Sequence, residues 1–143
     1  MNAARVLDVL NRLYVLHARS LPTYLGYAHP WQSRGDEQAS LTLQQIAADH
    51  AEMADRMGHV ILRRDGVVEH GEFPMDYTDT HDLSLRFLLK RLIDAQQTLV
   101  SEIEGCVRGV EGDKSAKALA DEALGMAKGH LDSLLELAGA PAG

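Results

Sequence analysis

The sequence predicts an all-α protein folded as a four-helix bundle, and three observations support this. Leucine and alanine are abundant, whereas aromatic residues make up only 5% of the 143 positions, a balance that favours helices over sheets. Four segments repeat apolar residues at steps of three and four, which is the period of an amphipathic helix. The apolar share of 45% suffices for one hydrophobic core. We therefore expect a single domain over residues 1–143.

The first predicted helix covers about 2–28 and carries His17 on its apolar stripe. Pro22 lies inside this segment and should kink or interrupt it, because proline lacks an amide N–H and clashes with the preceding turn. Residues 29–39, which include glycine and proline, are expected to connect it to the second helix.

The second predicted helix begins near Ser40, a residue type that favours N-cap positions. It ends around Arg64, where Gly66 is expected to adopt the left-handed conformation that follows many helices. The next segment, 67–79, lacks a helical period and is long for a connection between helices. It is long enough to cross the length of a bundle, which would make the second and third helices parallel.

The third predicted helix runs from about Thr80 to Arg108, and Asp113 is expected to cap a fourth helix over about 114–138. Two helix pairs with short loops would then be joined by one long crossover. This is the connectivity of the ferritin-like bundle, in which the helices run up, down, down and up.

Composition argues against several classes of function. A net charge of −7 disfavours nucleic acid or an anionic membrane surface as the main partner. The sequence contains no run of about 18 apolar residues and therefore predicts no membrane span. The charged N-terminal segment does not resemble a signal peptide. Cys106 is the only cysteine, which excludes an internal disulfide and a cysteine-rich metal site. We expect a cytoplasmic protein.

Three histidines lie at the centres of apolar stripes on three different predicted helices: His17, His50 and His130. In an up-down-down-up bundle, these positions and Leu92 of the third helix fall in one layer, within about one 5.4 Å turn. Burying a polar group without a partner is costly, so three imidazoles in one layer indicate a common purpose. Neutral imidazole is a common ligand of zinc, copper, iron and nickel. The sequence therefore predicts a metal site formed by these three histidines.

A purely structural role is the alternative for each histidine. A buried imidazole can donate to a backbone carbonyl or a water, and Tyr14, Tyr24 and Gln96 are candidate partners. Three methionines flank the same stripes and are expected to fill the core, although thioether sulfur also favours Cu(I): Met53, Met57 and Met126.

A second group of polar residues lies on the second helix: Asp49, Glu52, Asp55 and His59. The last three share one helical face, which lies opposite His50, and we expect this face to be solvated. Three acidic residues of the third helix are expected to be solvated as well: Asp94, Glu102 and Glu104.

The first segment, LNRLYVLHARSLPTYLGYAHPW, resembles the first helix of bacterioferritins, which belong to the ferritin-like superfamily. That helix carries a metal-binding Glu and, seven residues later, a Tyr; here the two positions hold His17 and Tyr24. The end of the second helix, ILRRDG, is similar to the family's Ile-Leu-x-x-Glu-Gly. Counting back from this end puts His50 at the position of the family's bridging Glu and Met53 at the position of its histidine. The KGHLDSLLEL segment resembles the family's last Glu-x-x-His, with His130 at the histidine.

The resemblance implies a ferritin-like bundle, an oligomer and iron as the metal, with copper or zinc as alternatives. Because the bridging carboxylates of the family are absent, we expect one metal per chain, a redox or iron-handling role, and weak or no ferroxidase activity. One alternative is a di-iron oxidase or storage protein whose carboxylates turn inward: Glu52, Asp55, Asp94 and Glu122. Another is a bundle without metal that serves assembly or partner binding.

Overall fold

The computed structural model describes residues 2–28, 35–80 and 83–139. Within these ranges the protein is all-helical and contains no strand, which confirms the predicted class. The helices are α1 (Ala3–Ala18), α2 (Leu21–Ala28), α3 (Glu37–Arg63), a 3₁₀ helix (Met75–Thr80), α4 (Leu85–Gly109) and α5 (Lys114–Gly139). Part of the predicted loop over 29–39 lies outside the described residues.

The predicted interruption of the first helix is confirmed. α1 ends at Ala18, and α2 begins at Leu21 with Pro22 in its first turn, where a missing N–H is tolerated. Ser20 stabilises the break, because its hydroxyl oxygen accepts a hydrogen bond from the Thr23 amide at 3.2 Å.

Both predicted ends of the second helix need correction. α3 starts at Glu37, so Ser40 is not its N-cap; the preceding Glu, Gln and Ala are good helix formers and extend the helix backwards. At the other end, Asp65 rather than Gly66 takes the left-handed conformation, with φ of 61°. Gly66 serves close packing instead, since a Cβ there would lie 2.8 Å from Leu7.

The segment after α3 follows the first two helices from end to end. The backbone of Glu69 makes two hydrogen bonds with the Asn11 side chain, at 3.1 and 2.8 Å. Farther along, the Tyr77 ring lies 5.6 Å from the Tyr24 ring in α2. α3 therefore ends, and α4 begins, at opposite ends of the molecule.

The long helices consequently run in two directions. α3 and α4 are both antiparallel to α1, and α5 is antiparallel to α3. Residue pairs in contact show these directions. For α1–α2 and α3, the pairs are Leu7 with Gly66 and Gly26 with Ala47; for α1 and α4, they are Val9 with Gly109 and Arg12 with Glu102. For α3 and α5, they are Arg64 with Asp113 and Asp49 with His130.

Asp113 caps α5 as predicted, because its carboxylate accepts a hydrogen bond from the Ala116 amide at 3.0 Å. Arg64, at the end of α3, donates two hydrogen bonds of 2.8 Å to the same carboxylate. This guanidinium is the main reason why the pKa of Asp113 lies well below its usual range. The pair fastens the C-terminus of α3 to the N-terminus of α5.

Replacing Asp113 by alanine should therefore lower the free energy of unfolding by about 1–2 kcal/mol, the usual effect of losing an N-cap. Urea unfolding followed by circular dichroism measures the change. Asp121→Ala is the matched control, because it removes an exposed carboxylate paired with Lys117 inside α5 and should change stability little. Equal effects of the two substitutions would contradict the capping role.

The core consists of two apolar clusters stacked along the bundle. One contains Leu13 of α1 and Met53 of α3, and the other contains Leu21 of α2 and Ile46 of α3. In the described part of the chain, no helix is both long and apolar enough to cross a membrane.

Candidate metal centre

A buried polar layer separates the two apolar clusters. Each long helix places one polar residue between a member of the first cluster and a member of the second: His17 between Leu13 and Leu21, His50 between Met53 and Ile46, Gln96 between Leu99 and Leu92, and His130 between Ala127 and Leu134. The residue of α4 in this layer is therefore Gln96, not Leu92 as the sequence pattern predicts. Leu92 lies one turn away, in the second cluster.

The layer brings the three predicted histidines together. His17 and His50 are completely buried, and His130 is 8% exposed. The His50 ring is central: its centroid lies 5.2 Å from that of His17 and 5.5 Å from that of His130. Three imidazoles from three helices are thus in direct contact.

The tautomer of His17 follows from its hydrogen bond. Its Nδ1 lies 2.7 Å from the backbone oxygen of Leu13, and a carbonyl oxygen can only accept. Nδ1 therefore carries the proton and donates. In the neutral ring, Nε2 is left with a lone pair.

A chain of hydrogen bonds at the break between α1 and α2 fixes His50. Thr23 donates its hydroxyl to the backbone oxygen of His17 at 2.8 Å, and Ser20 donates its hydroxyl to Thr23 at 2.9 Å. The Ser20 oxygen lies 2.7 Å from Nδ1 of His50. With the hydroxyl proton of Ser20 directed to Thr23, His50 donates through Nδ1, and its Nε2 also keeps a lone pair.

His130 is held by a carboxylate. Its Nε2 lies 2.8 Å from Oδ2 of Asp49, and an ionised carboxylate only accepts. Nδ1 of His130 is therefore the nitrogen that carries the lone pair in the neutral ring. Asp49 also accepts a hydrogen bond of 2.8 Å from the side chain of Gln45 on the same helix.

The other ring nitrogen of each histidine is buried and has no hydrogen-bond partner among the described residues: Nε2 of His17, Nε2 of His50 and Nδ1 of His130. In neutral rings, these are the three nitrogens that the hydrogen bonds leave with lone pairs. Buried polar atoms are normally hydrogen-bonded, and each exception calls for an explanation. Three exceptions in adjacent rings indicate one shared cause.

Burial keeps the rings of His17 and His50 neutral. It lowers the pKa of His17, against a smaller opposing effect of its bond to Leu13. It lowers the pKa of His50 well below 6.5, and repulsion from His17 and His130 adds to this. Both rings are therefore uncharged at neutral pH, the form in which imidazole binds metals.

The two measured distances between ring centres are within the range of neighbouring imidazole ligands of one metal ion. A tetrahedral ion with metal–nitrogen bonds of about 2.0–2.1 Å separates the ring centres of neighbouring imidazole ligands by about 5 Å, close to the observed 5.2 and 5.5 Å. Among the described residues, however, no group of three or more His, Cys, Asp or Glu side chains is already arranged to hold an ion. The three rings therefore lie close together without forming a ready-made metal site.

The partners considered for a purely structural role are engaged elsewhere. The Tyr14 hydroxyl lies 2.9 Å from His70, and Gln96 donates to the backbone oxygen of Ala127 at 3.0 Å. The Tyr24 ring contacts the rings of Phe73 and Tyr77.

Five acidic side chains lie on the surface, where the sequence places them: Glu52, Asp55, Asp94, Glu102 and Glu104. Glu122, which the di-iron alternative would turn inward, is exposed as well. Asp49 is the exception, since the sequence groups it with polar neighbours of the solvated face but the structure half-buries it against His130. A helical wheel could have indicated this position, because Asp49 lies only 100° around the helix from the buried His50. Cys106 is buried in the core, and burial raises the pKa of its thiol to about 11.

Comparison of the chain with family models, curated proteins and solved structures finds no match in any of the three.

Proposed function

We propose that this protein binds one transition-metal ion in its polar layer, through Nε2 of His17, Nε2 of His50 and Nδ1 of His130. The observation that carries the proposal is the set of three buried nitrogens without partners among the described residues, on the ring of His50 and the two rings that contact it. A metal ion would satisfy all three at once and would remove the cost of leaving them unpaired.

The partners of the opposite ring nitrogens support the same function. Metal-binding histidines usually donate their other N–H to a carboxylate, a backbone carbonyl or a water, which fixes the tautomer and strengthens the ligand. Here Asp49 and the Leu13 carbonyl play this part, and Ser20 supplies a hydroxyl oxygen.

The path of the chain supports membership of the ferritin-like class. A crossover that spans the bundle between two parallel helices is the feature that distinguishes this class from simple up-and-down bundles. The resemblance of the first, second and last helices to bacterioferritins favours iron, whereas three imidazole ligands also suit copper and zinc. With three protein ligands, the ion would keep an open position for a small molecule or for redox exchange.

We favour one ion rather than two, because the carboxylates needed for a second ion do not face the histidine layer. The four side chains that a di-iron oxidase would need to turn inward are exposed: Glu52, Asp55, Asp94 and Glu122. A cytoplasmic oligomer is part of the proposal, and exposed apolar side chains on α3 and α4, such as Leu41, Leu62 and Phe87, are consistent with further association.

Titration of the metal-free protein with Zn²⁺, in competition with a chromogenic chelator, tests the site. We expect one equivalent to bind to the wild type and to the surface control His59→Ala, and none to bind tightly to His50→Ala. Equal binding by all three proteins would refute the proposed ligands.

A second expectation concerns Asp49. In the Asp49→Asn variant, a neutral amide oxygen would accept the bond from His130 in place of a carboxylate. This substitution should therefore weaken Zn²⁺ binding about 10- to 100-fold, the usual effect of losing such an outer partner. Glu52→Asn removes a nearby exposed carboxylate and serves as the control in equilibrium titrations. An unchanged dissociation constant in the Asp49 variant would show that this carboxylate does not tune His130.

A further inference from the structure

A pocket of about 390 Å³ opens between three parts of the chain: the break that separates α1 from α2, the segment between α3 and α4, and α4 itself. Its volume lies within the range of small-molecule sites, about 300–1,000 Å³. Most of its wall is apolar, with contributions from each of these parts: Leu16, Leu21, Pro22, Pro74, Tyr77 and Leu99. The pocket can therefore take up the apolar body of a small organic molecule.

Two buried polar residues line the pocket. Ser20 is 7% exposed, and Gln96, the α4 member of the polar layer, is 1% exposed. The hydroxyl of Ser20 is fully used, because it donates to the Thr23 hydroxyl and accepts from the Thr23 amide and from His50. Hydrogen bonding to an occupant of the pocket therefore falls to Gln96.

The side-chain amide of Gln96 has unused hydrogen-bonding capacity. An amide offers two N–H donors and a carbonyl oxygen that accepts. A single hydrogen bond joins this side chain to the described residues, in which Nε2 donates to the backbone oxygen of Ala127 at 3.0 Å. The carbonyl oxygen Oε1 is left without a partner among the described residues. Because an unpaired polar atom in a buried place costs free energy, the pocket favours an occupant that donates a hydrogen bond to Oε1.

The charges around the pocket cancel. Two arginines and two glutamates belong to its described lining. Arg12 pairs with Glu102 at 3.0 Å, and Arg19 donates to the backbone oxygen of His70 at 3.0 Å. With no excess of either sign, the pocket has no net charge that would concentrate an ionic ligand. An uncharged occupant therefore suits it better than an ion.

We propose that this pocket binds a small uncharged hydroxyl compound, an alcohol or a phenol, whose hydroxyl donates to Oε1 of Gln96. A hydroxyl meets both requirements, because it carries a proton for the carbonyl oxygen and no charge. The apolar body of the compound lies against the wall formed by the α1–α2 break and α4. This site is independent of the proposed metal site, since none of the three histidines belongs to the described lining.

Titration of the metal-free protein with benzyl alcohol and with toluene tests the site, because toluene has the same ring without the hydroxyl. Spectra that correlate backbone amide ¹H and ¹⁵N shifts give both the dissociation constants and the place of binding. Gln96→Leu should bind benzyl alcohol about two- to tenfold more weakly, the usual contribution of one hydrogen bond, and toluene no more weakly. Gln97→Leu, at an exposed position of α4, is the matched control and should leave both constants unchanged.

Ala95→Phe places a ring in the pocket, since Ala95 is half-buried and lines it, and should abolish binding of both compounds. Circular dichroism verifies that the variants remain helical. Absence of benzyl alcohol binding by the wild type, or shift changes away from the pocket, would overturn the proposal. Equal weakening of both compounds in Gln96→Leu would also overturn it, because the loss would then be one of packing. Since the protein is free of metal throughout, none of these outcomes bears on the histidine site.

Discussion

Saturating Zn²⁺ should raise the free energy of unfolding by about 2.7 kcal/mol when the free ion exceeds its dissociation constant about 100-fold, and by about 4.1 kcal/mol at about 1,000-fold. The reason is that the three nitrogens of the polar layer come together only in the folded chain. Denaturant unfolding with and without buffered Zn²⁺ measures the difference.

The matched variants separate the buried site from the surface. His17→Ala/His130→Ala should lose the stabilisation by Zn²⁺, and His59→Ala should retain all of it, since His59 is exposed on α3. Stabilisation of equal size in both would mean that Zn²⁺ binds outside the polar layer.

The metal-free protein should lose stability as the pH falls below about 6.5, the ordinary pKa of histidine. Burial lowers the folded-state pKa values of His17 and His50, so the unfolded chain takes up these protons first. Stability is therefore fully present above about pH 6.5 and declines as the pH falls towards the folded-state values. The loss should approach about 1.4 kcal/mol per pH unit for each histidine.

Urea unfolding at pH values of about 7.5, 6.5 and 5.5, in the presence of a chelator, measures this slope. His50→Leu should have a shallower slope than the wild type, because one of the two linked protons is removed. The same slope in both proteins would show that His50 is not the source of the acid sensitivity.

The sequence predicts the histidine layer because the pattern of an amphipathic helix shows which residues face the core. His17, His50 and His130 all lie on apolar stripes, and all three are buried. The pattern does not show the exact height of a helix relative to its neighbours. For that reason it places Leu92 in the layer, whereas the structure places Gln96 there, one turn farther along α4.

The hydrogen-bond partners are harder to predict than the histidines. Asp49 lies at the border between the buried and exposed faces of α3, and only the position of α5 decides that it meets His130. Ser20 binds His50 because the chain breaks between α1 and α2. The sequence predicts that break from Pro22 but does not reveal which side chain it turns towards the core.

Helix ends show the same limit at a smaller scale. Ser40 has the chemistry of an N-cap, yet the helix continues through it because the preceding residues also favour helix. Asp65 adopts the conformation expected of Gly66, whereas the absence of a side chain at Gly66 allows the close approach of Leu7. In both cases the surrounding structure overrides a local preference.

Elemental analysis of the untagged protein by plasma mass spectrometry tests the central claim most directly, with His17→Ala/His130→Ala purified in parallel. We expect about one transition-metal ion per wild-type chain and almost none in the double variant, with circular dichroism showing that both remain helical. Absence of metal from the wild-type protein, even after incubation with iron, copper and zinc salts, would contradict it.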